Sequence, residues 1–138
     1  MSEDDKVGLQ NEIDILMNVD HPNIVKLYEV FEDAHSYSLV MELMTGGELF
    51  DTIMDKETFT EREAAEIIRP IIDAIQYCHS LNIIHRDIKP ENLLFSTKDP
   101  QTRVLKVTDF GLARFISSET LATTTCGTPG YVAPEILE

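Results

Sequence analysis

Eight consecutive residues, His85-Arg86-Asp87-Ile88-Lys89-Pro90-Glu91-Asn92, place a carboxylate, an ammonium two positions on and a carboxamide five positions on in one short segment. Thr108-Asp109-Phe110-Gly111 adds a second carboxylate, and Ala133-Pro134-Glu135 comes later. Ionised Asp accepts protons and hydrogen bonds, Asp and Asn oxygens are hard ligands of the kind magnesium takes, and Lys is a mobile point charge. Taken singly, Asp87 and Asp109 would be read as turn caps. With Lys89, Asn92 and Gly111 following in order, they read as a reactive site.

In order and spacing, these segments resemble the H-R-D-L-x-x-x-N, D-F-G and A-P-E signatures of the eukaryotic protein kinases. Within them the one departure is Ile88 for Leu, an apolar swap of similar volume. The resemblance implies transfer of the γ-phosphate of ATP, a reaction with a loose transition state that a protein promotes by positioning and by stabilising negative charge. It implies that Asp87 accepts the substrate hydroxyl proton and that Lys89 lies beside the transferring phosphate. Asn92 and Asp109 would hold the Mg²⁺ ions that bridge the phosphates. His85 and Phe110, with Leu16 and Leu27, match an apolar column linking two lobes, so His85 is read as a core histidine and not as a base.

The chain has 138 residues, 43% of them hydrophobic, enough for one domain with a real core. No apolar run approaches the length of a membrane span. The acidic start Met1-Ser2-Glu3-Asp4-Asp5 is unlike a secretory or organellar signal. Cys78 and Cys126 are too few for a disulfide framework, and a reducing cytoplasm is the simplest expectation. The net charge of −14 argues against nucleic-acid and anionic-membrane partners, and is compatible with basic peptide substrates.

The elements that must position these groups follow from periodicity. Leu9, Ile13 and Leu16 form one stripe, which predicts a helix over residues 4–19, stopped where Asp20-His21 precedes Pro22. Residues 24–31 and 37–42 read as strands joined by a polar turn, rich in β-branched and bulky residues. Residues 48–55 form a short helix. Thr60-x-x-Glu63 is a capping-box signature before a buried helix over 61–80, with Ile67, Ile68, Ile71, Ile75 and Cys78 in helical spacing. Pro70 should kink it, at about 3 kcal/mol. Residues 93–95 and 104–107 are strands on either side of a polar turn.

On these elements the kinase resemblance lays further roles. Asn11-Glu12-Ile13 is similar to the helix whose Glu pairs with a phosphate-gripping Lys; no lysine of this chain suits that part, Lys6 being too close on the same helix. Val40 to Leu49 resembles the hinge between lobes. Met41 would guard the back of the adenine pocket, Glu42 and Met44 would offer backbone groups to the adenine edge, Glu48 would reach the ribose, and Leu94 would floor the pocket. Thr124, two residues before Cys126, matches an activating phosphosite that Arg86 could pair bidentately. Thr128 would help position the acceptor hydroxyl, and Lys89-Pro90-Glu91-Asn92 with Gly127 to Tyr131 points to protein Ser/Thr substrates.

The expected fold is therefore α+β: a kinase-like two-lobe architecture, incomplete. It divides into an acidic leader (1–5), a remnant of the small lobe (6–42), the hinge (43–47) and the first part of the large lobe (48–138). Residues 21–51 and 126–137 look most like the calcium/calmodulin-dependent kinase group, which by kinship implies calmodulin control in a longer parent chain. By the resemblance, a Gly-rich loop and a V-A-I-K-like lysine would be expected before Glu12, and helices cradling the substrate-receiving segment at Cys126 to Glu135 would be expected after Glu138. Three expectations follow: a Ser/Thr kinase represented by part of its catalytic domain and by itself inactive, a catalytically dead pseudokinase remnant that binds other proteins, or a decayed gene with no stable product.

Overall fold

In the computed structural model, which describes residues 3–33, 36–56, 58–116 and 126–137, the first element is helix α1 (Glu3–Asn18). Residues 3–5 of the expected leader lie within this helix. Ile13 and Leu16 are buried as expected, while Leu9 is only half-buried and Ile15, off that stripe, is fully buried. The helix packs on one side against β1 (Leu27–Glu32) and on another against β6 (Arg114–Phe115), so one apolar stripe does not describe it.

Strand β1 pairs antiparallel with β2 (Tyr37–Met41), with a bulge between Leu27 and Glu29. Ile24 and Val25 lie before this hairpin rather than in it. Val25 N–H donates to the Val107 carbonyl at 3.0 Å and Val107 N–H to the Asn23 carbonyl at 2.8 Å, so the segment runs parallel to strand β5 (Leu105–Val107). The expected strand start at residue 24 moves because its backbone partner is β5.

Helix α2 (Leu49–Asp55) leads to α3 (Glu61–Ser80). The Thr60 hydroxyl accepts from Glu63 N–H at 3.3 Å and Thr60 N–H donates to the Glu63 carboxylate at 2.9 Å, closing the capping box. The helix runs unbroken through Pro70. Ala74 and Cys78 are its buried residues, and Ile67 and Ile71 pack against the core. Ile68 is 49% exposed, contrary to expectation: five isoleucine and cysteine positions span more of the helix than the face that meets β3 (Ile83–Ile84) and β5. A 3₁₀ turn (Pro90–Asn92) and β4 (Leu93–Phe95) follow, and β4 pairs antiparallel with β5. A last short helix, α4, covers Pro134–Leu137. Ile15, Leu16, Val19, Ile24, Leu27, Leu49, Ala74, Cys78, Ile83, Leu93, Phe95, Leu105, Val107, Phe110 and Ala113 make one continuous core of helices and strands. Among the described residues no helix is long and apolar enough to cross a membrane.

Candidate functional site

Strand β3 pairs with β6, Ile83 opposite Phe115 and Ile84 opposite Arg114, which brings the segment after Ile84 beside the segment before Arg114. Two residues there have left-handed backbones, Arg86 (φ 69°) and Asp109 (φ 58°), a conformation that costs a side-chain-bearing residue and holds only where surroundings enforce it. One enforcing contact is His85, only 3% exposed. Its Nδ1 accepts from Asp87 N–H at 3.2 Å, so the proton sits on Nε2, which donates to the Thr108 carbonyl at 3.0 Å. The imidazole thus ties the loop before Asp87 to the loop before Asp109. Burial holds its pKa below the ordinary value, against the opposing pull of the Thr108 carbonyl, Asp109 and Asp87. Its ring meets Phe110 edge-on at 4.8 Å, and with Leu16 and Leu27, both buried, it forms the expected core group.

Asp87 is gripped from several sides. Thr128 donates its hydroxyl to Asp87 Oδ1 at 2.6 Å and accepts from Lys89 Nζ at 2.7 Å. Lys89 Nζ also lies 3.4 Å from Asp87 Oδ2. Asn92, buried in the 3₁₀ turn, donates through Nδ2 to the Asp87 carbonyl at 3.0 Å and to Oδ2 at 3.2 Å. Burial pushes the Asp87 carboxyl up, but the Thr128 hydroxyl, Lys89 and Asn92 outweigh it, leaving its pKa below the ordinary range. The result is an ionised carboxylate with a positive charge and a hydroxyl beside it. Because the Asn92 amide nitrogen is turned to Asp87, its Oδ1 faces the other way.

Asp109 leaves β5, and its Oδ1 accepts from Gly111 N–H at 3.3 Å. Glu12 comes to the same place from α1, held there by Asn11, whose Nδ2 donates to the Ala113 carbonyl at 2.8 Å. Burial, and then the charge of Asp109, push the Glu12 carboxyl up. The two carboxylates repel each other.

The segment after β2 is fixed at two points. Glu42 N–H donates to the Lys26 carbonyl at 2.8 Å, and its carboxylate forms an ion pair with Lys106 of β5 at 2.8 Å. Three residues on, Thr45 N–H and Gly46 N–H donate to the Ser96 and Phe95 carbonyls at 3.1 and 2.9 Å, and Phe95 N–H returns to Gly47. A Cβ on Gly46 would overlap the Thr97 carbonyl, so the close approach requires that glycine, and the left-handed φ of 81° favours glycine at position 47. Met41 packs half-buried against the core, and Leu43 is exposed. Glu48 forms a bridge with Leu94 and caps α2 with its backbone alone, so its carboxylate is not spent on the helix.

The structure thus brings Asp87, Lys89, Asn92 and Thr128 into one cluster, places Asp109 with Glu12, and lays residues 42–48 along the β4–β5 hairpin. Thr124 lies outside the described residues. Arg86 Nε donates to the Leu112 carbonyl at 2.7 Å. Sequence reasoning missed Lys106; its signal was a single charge between two buried residues of a three-residue strand. It also passed over Glu91, whose Oε1 accepts from the Tyr131 hydroxyl at 3.4 Å while Oε2 is buried without a partner.

Residues 1–138 match the family described as protein kinase domain. The chain is 50% identical over 133 residues to human calcium/calmodulin-dependent protein kinase type IV, covering 96% of this chain and 28% of that protein. It is 48% identical over 130 residues to calcium/calmodulin-dependent protein kinase type 1 of Macrobrachium nipponense, covering 94% and 37%. With myosin light chain kinase A of Dictyostelium discoideum the identity is 47% over 137 residues, covering 99% and 46%. The chain therefore spans less than half the length of these relatives.

Proposed function

Because this chain belongs to the protein kinase family and is homologous to calcium/calmodulin-dependent kinases, we propose that it carries the phosphoryl-transfer centre of a serine/threonine protein kinase. The observation that supports this most is the cluster of Asp87, Lys89, Asn92 and Thr128. Its ionised carboxylate accepts the proton of a substrate Ser or Thr hydroxyl, Thr128 steers that hydroxyl, and Lys89 offsets charge on the incoming phosphate.

Family members use ATP and a divalent metal. Asp109 and Asn92 offer a carboxylate and an outward amide oxygen, hard donors that fit Mg²⁺, which would neutralise phosphate charge when bound. Residues 41–48 and Leu94 would supply the nucleotide pocket: the Glu42 N–H is already bonded to the Lys26 carbonyl, so its carbonyl is the group offered to the adenine amino group, and Met44 would offer its backbone N–H. Protein substrates rich in basic residues suit the charge of −14. Phosphorylation of Thr124, paired by Arg86, activates the enzyme, and kinship with calcium/calmodulin-dependent kinases points to calmodulin as its regulator. Cys78 and Cys126 are free thiols, which suits a cytoplasmic location.

The test is transfer of labelled phosphate from MgATP to a basic Ser/Thr peptide by the protein that carries this chain. Transfer is expected from wild type, abolished by Asp87→Asn with nucleotide binding retained, and lowered several-fold by Thr124→Ala. Binding of nucleotide without transfer in wild type would replace this reading with the pseudokinase one.

A further inference from the structure

We propose that Lys106 is a positioning residue for adenine recognition, acting through the Glu42 carboxylate. The inference rests on the nucleotide reading above and extends it to a residue that touches no substrate. Leu94 and Lys106 are directly paired across the antiparallel β4–β5 ladder, so their side chains share one face of the hairpin. On that face Leu94 floors the pocket and Lys106 reaches up to Glu42, with Nζ 2.8 Å from Oε1 and 2.9 Å from Oε2. The pair is well shielded, the Lys106 side chain being 12% exposed and that of Glu42 23%. The same carboxylate accepts from Lys26 N–H at 3.3 Å, while Glu42 N–H donates to the Lys26 carbonyl.

Glu42 is therefore held from two directions, by the strand before it and by the strand that delivers Asp109. The next anchors along the chain are Thr45 and Gly46 on Ser96 and Phe95. Only Leu43 and Met44 lie between the two anchors, so the span that meets the adenine edge is short and clamped at both ends to one hairpin. The downstream anchor is made of backbone bonds, from Thr45 and Gly46 N–H to the Ser96 and Phe95 carbonyls. The upstream clamp to β5 is a side-chain pair and can be cut. Cutting it leaves Glu42 held by Lys26 alone, which loosens the aim of the Glu42 carbonyl, weakens a directional bond to the 6-amino group of adenine and leaves the phosphate-handling groups where they are.

The experiment compares MgATP with the triphosphate of purine riboside, which lacks the 6-amino group, by competition binding on the same protein that carries out the transfer assay. Wild type is expected to prefer ATP by about tenfold, one directional hydrogen bond's worth of discrimination. Lys106→Met, which keeps the aliphatic stem, and Glu42→Gln are expected to bring that ratio close to unity, with affinity for the deaminated analogue unchanged; Lys106→Arg is expected to restore it. Urea midpoints taken in parallel separate a loss of fold, which would lower binding of both nucleotides together. A preference for ATP that survives in Lys106→Met overturns the inference while leaving the functional reading intact. A wild type that binds neither nucleotide overturns the functional reading, and this inference falls with it.

Discussion

Thr128 and Asp87, 41 positions apart in the chain, share a hydrogen bond of 2.6 Å in which the hydroxyl donates and the carboxylate accepts. That bond is among the forces that hold Asp87 ionised against the upward push of its own burial. In Thr128→Val the donor to Asp87 is lost and Lys89 keeps only Asp87 as its partner, so the Asp87 pKa is expected to rise through loss of the hydroxyl, and Thr128→Ser is expected to keep it low. Carboxyl-carbon NMR titration of the Asp side chains measures this directly. The acid limb of the rate profile should move to higher pH in the same variant, because a base must be deprotonated to act.

Glu12 acts in the opposite sense. Its folded pKa is raised above 4.5 by burial and by Asp109, so the folded state holds the proton more tightly than the unfolded one. Stability from this group is complete below about pH 4.5 and is lost as pH rises through the folded value. Glu12→Gln is therefore expected to raise the urea midpoint at pH 7 and to give no advantage near pH 4. A variant with no advantage over wild type at either pH would show that neither burial nor Asp109 raises the Glu12 pKa.

His85 is depressed by burial from its ordinary 6.5, so the unfolded chain takes up its proton first. The stability it contributes is present above that pH and falls away as pH drops through the folded value. His85→Gln should flatten the loss of stability between pH 7.5 and 5.5, measured by urea unfolding at both. The other histidines cancel in the comparison with wild type.

Gly46→Ala is the harshest small change the fold predicts. The added methyl would overlap the Thr97 carbonyl oxygen and sit 2.5 Å from Phe95 Cβ, so the connection between β2 and α2 would have to lift from β4. A loss of about 3 kcal/mol in folding free energy is expected, read from chemical denaturation. Gly8→Ala, where nothing lies within 4 Å, serves as the control and should be neutral or slightly stabilising.

What could be read from the sequence was whatever depends on local pattern. The Thr60–Glu63 box carries its geometry within a few residues and folded as read, and the short Asp87-to-Asn92 segment brings its polar groups together locally. What escaped was set by distant partners. Strand β6 is two residues long and exists because β3 lies beside it. Ile24 left its expected strand for a bridge to Val107, 83 positions away in the chain. Ile15 is buried off the expected stripe of α1, and Ile68 is exposed on α3, because both helices meet neighbours that helical spacing cannot name. The Lys106–Glu42 pair spans 64 positions, and no periodicity links its ends.

Strand β5 has β4 on one side and residues 23–25 on the other, so its amide groups are engaged along both edges. A three-residue strand of two apolar side chains around a charge would otherwise be a template for joining foreign backbone. The short parallel contact from Asn23 to Val25 thus works as a cover against self-association. Weakening it, for instance at Asn23, whose side chain also bonds the Leu105 carbonyl at 2.9 Å, would favour intermolecular strand pairing before the helices unfold.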